Sequence, residues 1–241
     1  MEESDLTLWG MGTVRNLRVH WMLMEMKLGY TYHPVHPRSG ETYSEEFLKI
    51  NPRHRVPVLK HGDVVVTESA AIIEYISEAF PAPPGIYVAP DAIARAKLNE
   101  WCFFIMTEFD AHTLYVIRRH TTLSSLYGEA PAACVAAKDY FMDQLKAIEP
   151  LVGGRNRFLM GDELSCADIL LTTCLDWAIE YGFELPQRIV SYHEMMVARE
   201  AYKEALKLTF TDTDSIPKIE RYLCSASPAT AKANCVLKHN V

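Results

Sequence analysis

The stretch Asn51-Pro52-Arg53-His54-Arg55-Val56-Pro57-Val58-Leu59-Lys60 predicts the entry into a β-strand that decides the fold of this chain. Pro57 cannot donate a hydrogen bond to a sheet, so it belongs at the start or the edge of a strand. An X-Pro bond at such a tight approach favours a cis peptide, which would turn the Val56 amide and carbonyl outward toward an extended, peptide-like ligand. A second strand, Val64 to Thr67, follows across the turn at His61-Gly62-Asp63.

The residues that follow this hairpin predict the start of a helix. Thr67-Glu68-Ser69 precedes an apolar run that continues through Ile72. The first turn of a helix exposes unpaired N–H groups and carries partial positive charge, so it binds carboxylates well. The stretch from residue 51 to residue 72 therefore suits a peptide-like ligand that carries a carboxylate.

The segments around this stretch predict a thioredoxin-like domain over residues 1–80. Parallel strands joined by a helix, followed by an antiparallel hairpin, fit a small mixed sheet. Apolar spacing and turn residues give the order βαβαββα. The predicted elements are a strand at 6–9, a helix with apolar positions 17, 21, 24 and 28, a strand at 30–35, a short helix at 44–50, the hairpin, and a closing helix at 72–80.

A proline-rich linker at 81–90 precedes an all-helical second domain, 91–241. The prolines make the linker stiff rather than flexible. Apolar stripes predict a long helix through Leu98 that runs on toward His120. The predicted fold class is therefore α/β followed by all-α.

Two further patterns mark the second domain. Ser165 and Asp168 are spaced as a capping box before a helix that is apolar on all sides, so this helix should be central and buried. Another helix is predicted from about Pro131 to Leu151. The helical periodicity of apolar residues fades after Phe210, and the tail from there to Val241 is expected to pack poorly or to be mobile.

Composition argues against several classes of function. The chain has 241 residues and a net charge of −7, which disfavours a general nucleic-acid binder. No apolar run approaches the ~20 residues that a membrane span needs. The six cysteines include no Cys-x-x-Cys pair, and the acidic N-terminus lacks a secretory pattern, so free thiols and a cytoplasmic location are expected. Cys-x-x-Cys and His-x-x-x-His spacings are both missing, which disfavours a metal enzyme.

Two motifs point to one family. Val56-Pro57-Val58-Leu59, followed one strand later by Glu68-Ser69-Ala70-Ala71-Ile72, resembles the glutathione site of the cytosolic glutathione transferase superfamily. The Ser-x-x-Asp pattern at 165–168, with Leu164 before it, is similar to the one that opens the buried helix of that family's helical domain. The two motifs lie far apart and depend on different residues. The resemblance implies glutathione as co-substrate and a homodimer.

The resemblance also implies a contact for each part of glutathione. The Val56 backbone would pair with the cysteinyl part, Ser69 would bind the γ-glutamyl carboxylate, and Glu68 would pair with the γ-glutamyl ammonium. The basic run at 53–55 would meet the glycyl carboxylate through a charge-assisted bond, with a solvated surface run as the alternative. The implied glutathione-binding residues are Arg15, His54, Arg55, Val56, Pro57, Glu68 and Ser69.

Activation of the thiol requires a hydrogen-bond donor near the sulfur. A free thiol has a pKa of ~8.5, so the thiolate must be stabilised at neutral pH. The family uses tyrosine, serine or cysteine in the first loop, but residues 6–17 contain none of these. The loop is similar to that of bacterial and fungal members with threonine or asparagine, so we expect Thr13 to donate its hydroxyl first and Asn16 its amide second. Either residue could instead cap the helix, and a backbone amide could replace both.

The pocket for the electrophile should lie against the first long helix of the second domain. Tyr115 and Arg119 are four residues apart and share a helical face, which would suit a phenolic or anionic co-substrate. Asp110 is expected to reach across a dimer interface, as similar residues do in related transferases. The candidate pocket residues are Trp9, Met11, Phe109, Tyr115 and Arg119, and a core or surface role is the alternative for each.

The leading hypothesis is a transferase that adds glutathione to a small, aromatic electrophile. Glutathione-dependent reduction of disulfides or peroxides, and cleavage of β-aryl ethers, remain alternatives within the family. A non-catalytic binding module is the alternative from another class, because the usual activating residue is missing from the first loop.

Overall fold

The computed structural model describes residues 5–210, and a four-stranded mixed sheet lies within its first domain. The strands are β1 (Leu6–Trp9), β2 (Thr31–His33), β3 (Val58–His61) and β4 (Val64–Thr67), in the spatial order β2-β1-β3-β4. β1 and β2 are parallel, whereas β3 is antiparallel to both β1 and β4. The predicted thioredoxin-like arrangement is confirmed. The tail predicted to be mobile lies outside the described residues.

Residues 5–210 also contain ten α-helices, a π-helical segment and two short 3-10 helices, Glu41–Tyr43 and Glu149–Leu151. The first domain contains α1 (Val14–Glu25), α2 (Glu45–Ile50) and α3 (Ser69–Ala79). The second contains α4 (Ala92–Phe104), the π-helical segment (Ile105–Leu114), α5 (Tyr115–His120), α6 (Ser124–Tyr127), α7 (Pro131–Ile148), α8 (Cys166–Glu180), α9 (Gln187–Val197) and α10 (Glu200–Thr209). No helix among these residues is long and apolar enough to cross a membrane.

The strand registers place three loop ends at one edge of the sheet. Trp9 pairs with Val58, and Val58 pairs in turn with Thr67. The end of β1, the beginning of β3 and the end of β4 therefore lie side by side. The loop at 10–13, the Val56-Pro57 turn and the start of α3 all emerge at this edge.

Helix α1 lies in the middle of the molecule. It packs against α3 in its own domain and against α8 and α10 in the second domain. Its residues from Val14 to Leu23 are buried on nearly every side, and they include Asn16, Arg18 and His20. Polar groups in such a place need partners, because an unpaired buried charge is costly.

Helix α8 is the central helix of the second domain. Every residue from Cys166 to Ala178 is buried, as its apolar sequence predicts. Ser165 accepts a hydrogen bond from the Asp168 amide, and the Asp168 carboxylate accepts one from the Ser165 amide at 2.9 Å. The predicted capping box and buried helix are confirmed.

The long helix predicted to run toward His120 changes its winding on the way. α4 and α5 are separated by the π-helical segment, which carries Phe109 and Asp110 inward. Upstream, α3 ends at Ala79 and α4 begins at Ala92, so residues 81–90 carry neither a helix nor a strand. The division of the chain at residues 80 and 90 stays a prediction.

Candidate active site

A cleft lies between the sheet edge of the first domain and helices α5 and α8 of the second. It consists of two adjoining cavities, a first of about 340 Å³ and a second of about 510 Å³. Arg15, Arg55, Val56, Tyr115 and Tyr127 line both, so the two cavities share a wall. Two arginines, two tyrosines and Val56, from four different elements and loops, therefore meet at the junction.

The first cavity is built from the Val56–Pro57 turn and the start of α3. The Val56–Pro57 peptide bond is cis, and both residues line the cavity. Within residues 5–210, no hydrogen bond occupies the Val56 amide or carbonyl. The backbone of Val56 is therefore available to an extended ligand.

The start of α3 forms another wall of the first cavity. Glu68 stands at the N-cap with φ of 72° and makes no side-chain capping bond. A positive φ is unusual for glutamate, and such backbone strain is often found at binding sites. Ser69 lines the cavity and is almost fully buried. The uncapped helix start leaves N–H groups that can hold a carboxylate.

Ser69 rests on a buried arginine that sequence reasoning missed. Arg18 has no exposed surface and donates from Nη1 to the Ser69 hydroxyl at 3.2 Å. Its Nε donates to the Thr173 hydroxyl at 2.8 Å, and its Nη2 lies 2.8 Å from Asp110 Oδ2. Arg18 thus ties the first cavity to α8 and to the π-helical segment. The position of Arg18 in the apolar α1 could have indicated this role, because a buried charge requires partners.

Asp110 also pairs with Arg15, whose guanidinium lines both cavities. Burial raises the pKa of the Asp110 carboxyl, but the charges of Arg18 and Arg15 outweigh burial and hold that pKa below its usual value. Asp110 is fully buried within its own chain. The expectation that it reaches across a dimer interface is therefore wrong, since both of its partners are intramolecular.

The basic run at 53–55 divides into three different roles. Arg55 lines both cavities, as expected for a carboxylate contact. Arg53 lines the first cavity and pairs with Glu68 at 2.8 Å. His54 lines neither cavity, because φ of 54° turns it toward Tyr43, on which its ring stacks at 4.4 Å. The structure does not bring His54 into the cleft.

The two thiol-activating candidates lie at different depths. Thr13 is the N-cap of α1 and lines the second cavity, and its hydroxyl accepts a bond from the Asn16 amide at 3.2 Å. Accepting that bond leaves the hydroxyl proton free to donate. Asn16 is fully buried, and its side-chain amide has no hydrogen-bond partner among residues 5–210. It lines neither cavity, so only Thr13 faces the cleft.

Asn16 instead lies beneath the first loop. A Cβ atom added at Gly10 would come within 2.6 Å of Asn16 Oδ1 and 2.8 Å of Val56 Cβ. The loop, α1 and the Val56 turn are therefore in close contact, and only glycine fits at residue 10, which also has φ of 128°.

The candidates for the electrophile pocket separate into two groups. Tyr115 lines both cavities, whereas Arg119 lines only the first, so the structure does not bring Arg119 into the second cavity. Phe109 is fully buried and packs against Phe141 with ring centres 4.7 Å apart, so it is a core residue. Trp9 stacks on His33 at 5.2 Å and packs against a separate apolar cluster.

Met11 lines neither cavity. Its amide donates to the Val35 carbonyl at 3.0 Å. Trp9, Met11 and Phe109 are thus not brought into the cleft. Their apolar side chains are compatible with either a pocket or a core, so residue type alone could not decide between the two. The second cavity also contains residues that sequence reasoning did not single out, namely Arg38, Tyr43, Leu123, Leu126, Tyr127 and Trp177.

The fold and cleft define a two-domain protein of the glutathione-transferase type. Residues 4–78 match the family model described as glutathione S-transferase, N-terminal domain, and residues 104–203 match the C-terminal domain. The chain is 31% identical over 188 residues to glutathione S-transferase Z1 of Arabidopsis thaliana, which covers 78% of this chain and 81% of that protein. The chain therefore belongs to the glutathione S-transferase family. It is a glutathione transferase, and glutathione is its co-substrate.

Two further similarities show the breadth of this family. The chain is 26% identical over 177 residues to the stringent starvation protein A homolog of Coxiella burnetii (strain RSA 493 / Nine Mile phase I), covering 71% of this chain and 78% of that protein. The crystal structure of the glutathione transferase URE2P8 from Phanerochaete chrysosporium with oxidized glutathione superposes with a TM-score of 0.76 at 21% identity, over 87% of this chain and 97% of that chain. The structural likeness supports the fold.

Proposed function

We propose that the first cavity holds glutathione, that Thr13 stabilises its thiolate, and that the second cavity holds a small aromatic electrophile which accepts the sulfur. One observation carries this proposal. The free Val56 backbone and the uncapped start of α3 line one cavity, and this cavity opens directly onto a second one lined by Thr13.

Each part of glutathione has a matching group in the first cavity. The γ-glutamyl carboxylate fits the start of α3 and Ser69. The Glu68 side chain is exposed and can pair with the ammonium. The cysteinyl backbone fits Val56, and the glycyl carboxylate fits Arg55. Charge-assisted bonds of this kind are stronger than neutral ones.

Thiolate stabilisation requires about two pKa units, or ~2.7 kcal/mol. The Thr13 hydroxyl can donate to the sulfur while it accepts from the Asn16 amide. The N-terminus of α1 adds partial positive charge at the same place. In the transfer step the thiolate sulfur forms a bond to an electrophilic carbon, the leaving group departs with the bonding electron pair, and the thiol proton has gone to solvent.

The proposal is tested by following thiolate ultraviolet absorbance against pH with glutathione bound. We expect bound glutathione to titrate roughly two units below the free thiol. Thr13→Ala should raise the pKa of the bound thiol and lower kcat more than it weakens binding, and Thr13→Ser should preserve both. If bound glutathione titrates like the free thiol, thiolate activation is excluded, and the alternative of a glutathione-binding module without turnover takes its place.

Other reactions of the family use the same thiolate. Glutathione-dependent reduction of a disulfide or peroxide, and cleavage of a β-aryl ether, would place a different acceptor in the second cavity. Assays with a disulfide, a hydroperoxide, an aryl ether and an aryl halide, each at saturating glutathione, distinguish these reactions. We expect the highest kcat/KM with the aryl halide, because aromatic rings line the second cavity.

We also propose that the chain forms a homodimer in the cytoplasm. Val64 and Val65 on β4, and Ile93 and Phe103 on α4, are large apolar residues with 42–78% of their surface exposed. Exposed apolar patches of this kind are typical of interfaces. The four cysteines within residues 5–210 are free, which fits a reducing compartment. Sedimentation of the wild type and of Phe103→Glu tests the dimer, and a monomeric wild type would contradict it.

A further inference from the structure

The second cavity carries positive charge without matching negative charge. Arg15, Arg38, Arg55 and Arg118 line it, and none of its lining residues is acidic. Among residues 5–210, only Arg15 of these four forms a salt bridge, and its partner Asp110 is shared with Arg18. The cavity is therefore cationic in a chain whose net charge is −7.

Arg118 lies among other cations rather than beside a carboxylate. Burial lowers the pKa of the Arg118 guanidinium, and the positive charges of Arg38 and Arg15 lower it further. Burial also lowers the pKa of His36, and Arg38 and Arg118 act on it in the same direction. A bound anion would relieve this mutual repulsion.

Aromatic rings hold two of these arginines in place. The guanidinium carbon of Arg118 lies 5.6 Å from the centre of the Trp177 ring, and that of Arg15 lies 4.8 Å from the centre of the Tyr115 ring. An arginine stacked on a ring keeps its N–H edge free to bind a planar anion with two hydrogen bonds. Trp177 itself is buried, but Tyr115 is half-buried and Tyr43 and Tyr127 are exposed, so these three tyrosines of the cavity offer apolar ring surface to an aromatic ligand.

The cationic wall lies beside the proposed position of the sulfur. Thr13 and Val56, which we place next to the glutathione thiol, line this same cavity. A ligand whose anion is held by Arg38 and Arg118 would therefore have its ring close to the thiolate.

We propose that the second substrate is an aromatic electrophile with a carboxylate, bound with the carboxylate at Arg38 and Arg118 and the ring against Tyr115 and Tyr127. This inference rests on the proposed function, because it concerns the acceptor in the same transfer reaction. With an aryl chloride, the thiolate sulfur bonds to the chlorine-bearing ring carbon, the carbon–chlorine bond breaks, and chloride leaves with the bonding electrons. No oxidant or reductant is required.

A matched pair of substrates tests the inference. The anion para-chloro-meta-nitrobenzoate and its methyl ester share one ring and one leaving group but differ in charge. For each, kcat/KM with glutathione is divided by the uncatalysed rate constant, because the ester is intrinsically more reactive. We expect the wild type to favour the anion at least about tenfold, as charge-assisted hydrogen bonds require. Raising the salt concentration should reduce this preference.

Variants locate the source of the preference. The double variant Arg38→Gln/Arg118→Gln should lose most of this preference, because the kcat/KM of the anion should fall much further than that of the ester. Arg118→Lys should keep part of it, because charge remains but the planar fork is lost. Arg155→Gln is the matched control, since Arg155 lines a separate surface cavity and neither cavity of the cleft. Its substrate preference should equal that of the wild type.

Equal normalised catalysis of both substrates by the wild type would overturn the inference and leave the transferase function standing. If neither compound reacts, calorimetry decides, with meta-nitrobenzoate and meta-nitrobenzamide titrated into protein saturated with S-methylglutathione. Tighter binding of the anion that is lost in the double variant supports the inference, and equal binding overturns it. Thiol titration reports on the proposed function separately.

Discussion

The two cavities of the cleft are built in different ways from the same chain. The first takes most of its wall from residues 51–69, one continuous segment, and two of its arginines are paired with Glu68 and Asp110. The second gathers residues from 13–15, 37–43, 55–56, 115–127 and 177, and most of its arginines have no acidic partner within residues 5–210. The first site is therefore set largely by one continuous segment, whereas the acceptor site depends on how the two domains pack.

The largest expected effect concerns Phe109, which is fully buried in the core of the second domain. Phe109→Ala should lower the free energy of unfolding by about 3–5 kcal/mol, because it leaves a void among packed aromatic rings. Urea unfolding of this variant and of Phe109→Leu measures the effect. Tyr115→Ala is the comparison, since it should alter catalysis more than stability. If the Phe109→Ala protein kept wild-type stability but had a lower kcat/KM, Phe109 would be a pocket residue rather than a core residue.

Asp110 is the group that ties the two cavities together, through Arg15 and Arg18. Asp110→Asn should lower the free energy of unfolding by about 3 kcal/mol or more, because the charge of buried Arg18 is left unpaired. The exposed Glu200→Gln, which breaks only a surface pair with Lys203, is the control. A loss no larger than that of the control would show that the network is not stabilising.

The Asp110 effect should also depend on pH. The folded-state pKa of Asp110 lies below the usual 3.8, so its stabilisation is fully present above that value and is lost as the pH falls through the folded pKa. The difference in unfolding free energy between wild type and Asp110→Asn should therefore be constant near neutral pH and shrink in acid. A difference that grows in acid would contradict this assignment.

Ser69→Ala should affect the first cavity alone. We expect glutathione binding to weaken by about 1–2 kcal/mol, since a ligand carboxylate and the Arg18 guanidinium both lose a partner. Calorimetry with glutathione measures the loss, and Ser191→Ala, in the separate surface cavity, is the control. Unchanged affinity would remove Ser69 from the glutathione site.

Arg55 lines both cavities and is exposed, so its effect should be the smallest. Arg55→Ala should raise KM for glutathione by roughly 1.4- to fivefold, because exposed charge pairs contribute about 0.2–1 kcal/mol. The deficit should shrink at high salt, where the wild type loses the same interaction. Steady-state kinetics at two salt concentrations, with Arg155→Ala alongside, measure it. An unchanged KM would leave residues 53–55 as a surface run.

Sequence reasoning succeeded where local rules decide the structure. The order of strands and helices, the Ser165–Asp168 capping box and the buried α8 follow from spacing and residue type alone. Helical spacing puts Tyr115 and Arg119 on one face, but it did not decide which cavity each lines, since Arg119 lines only the first. His54, Phe109 and Asp110 were misjudged, because a single backbone angle or one packing partner decides where such side chains go.

The sequence by itself therefore determined the family, the two-domain order and the first cavity, because strand pairing brings the ends of a short, continuous segment together. Only the tertiary structure decided that Arg18 lies beneath Ser69, that Asp110 joins two arginines, and that Arg38, Arg118 and Trp177 meet in the second cavity. These contacts join residues that are distant along the chain. Their positions depend on how whole helices pack, which no local pattern specifies.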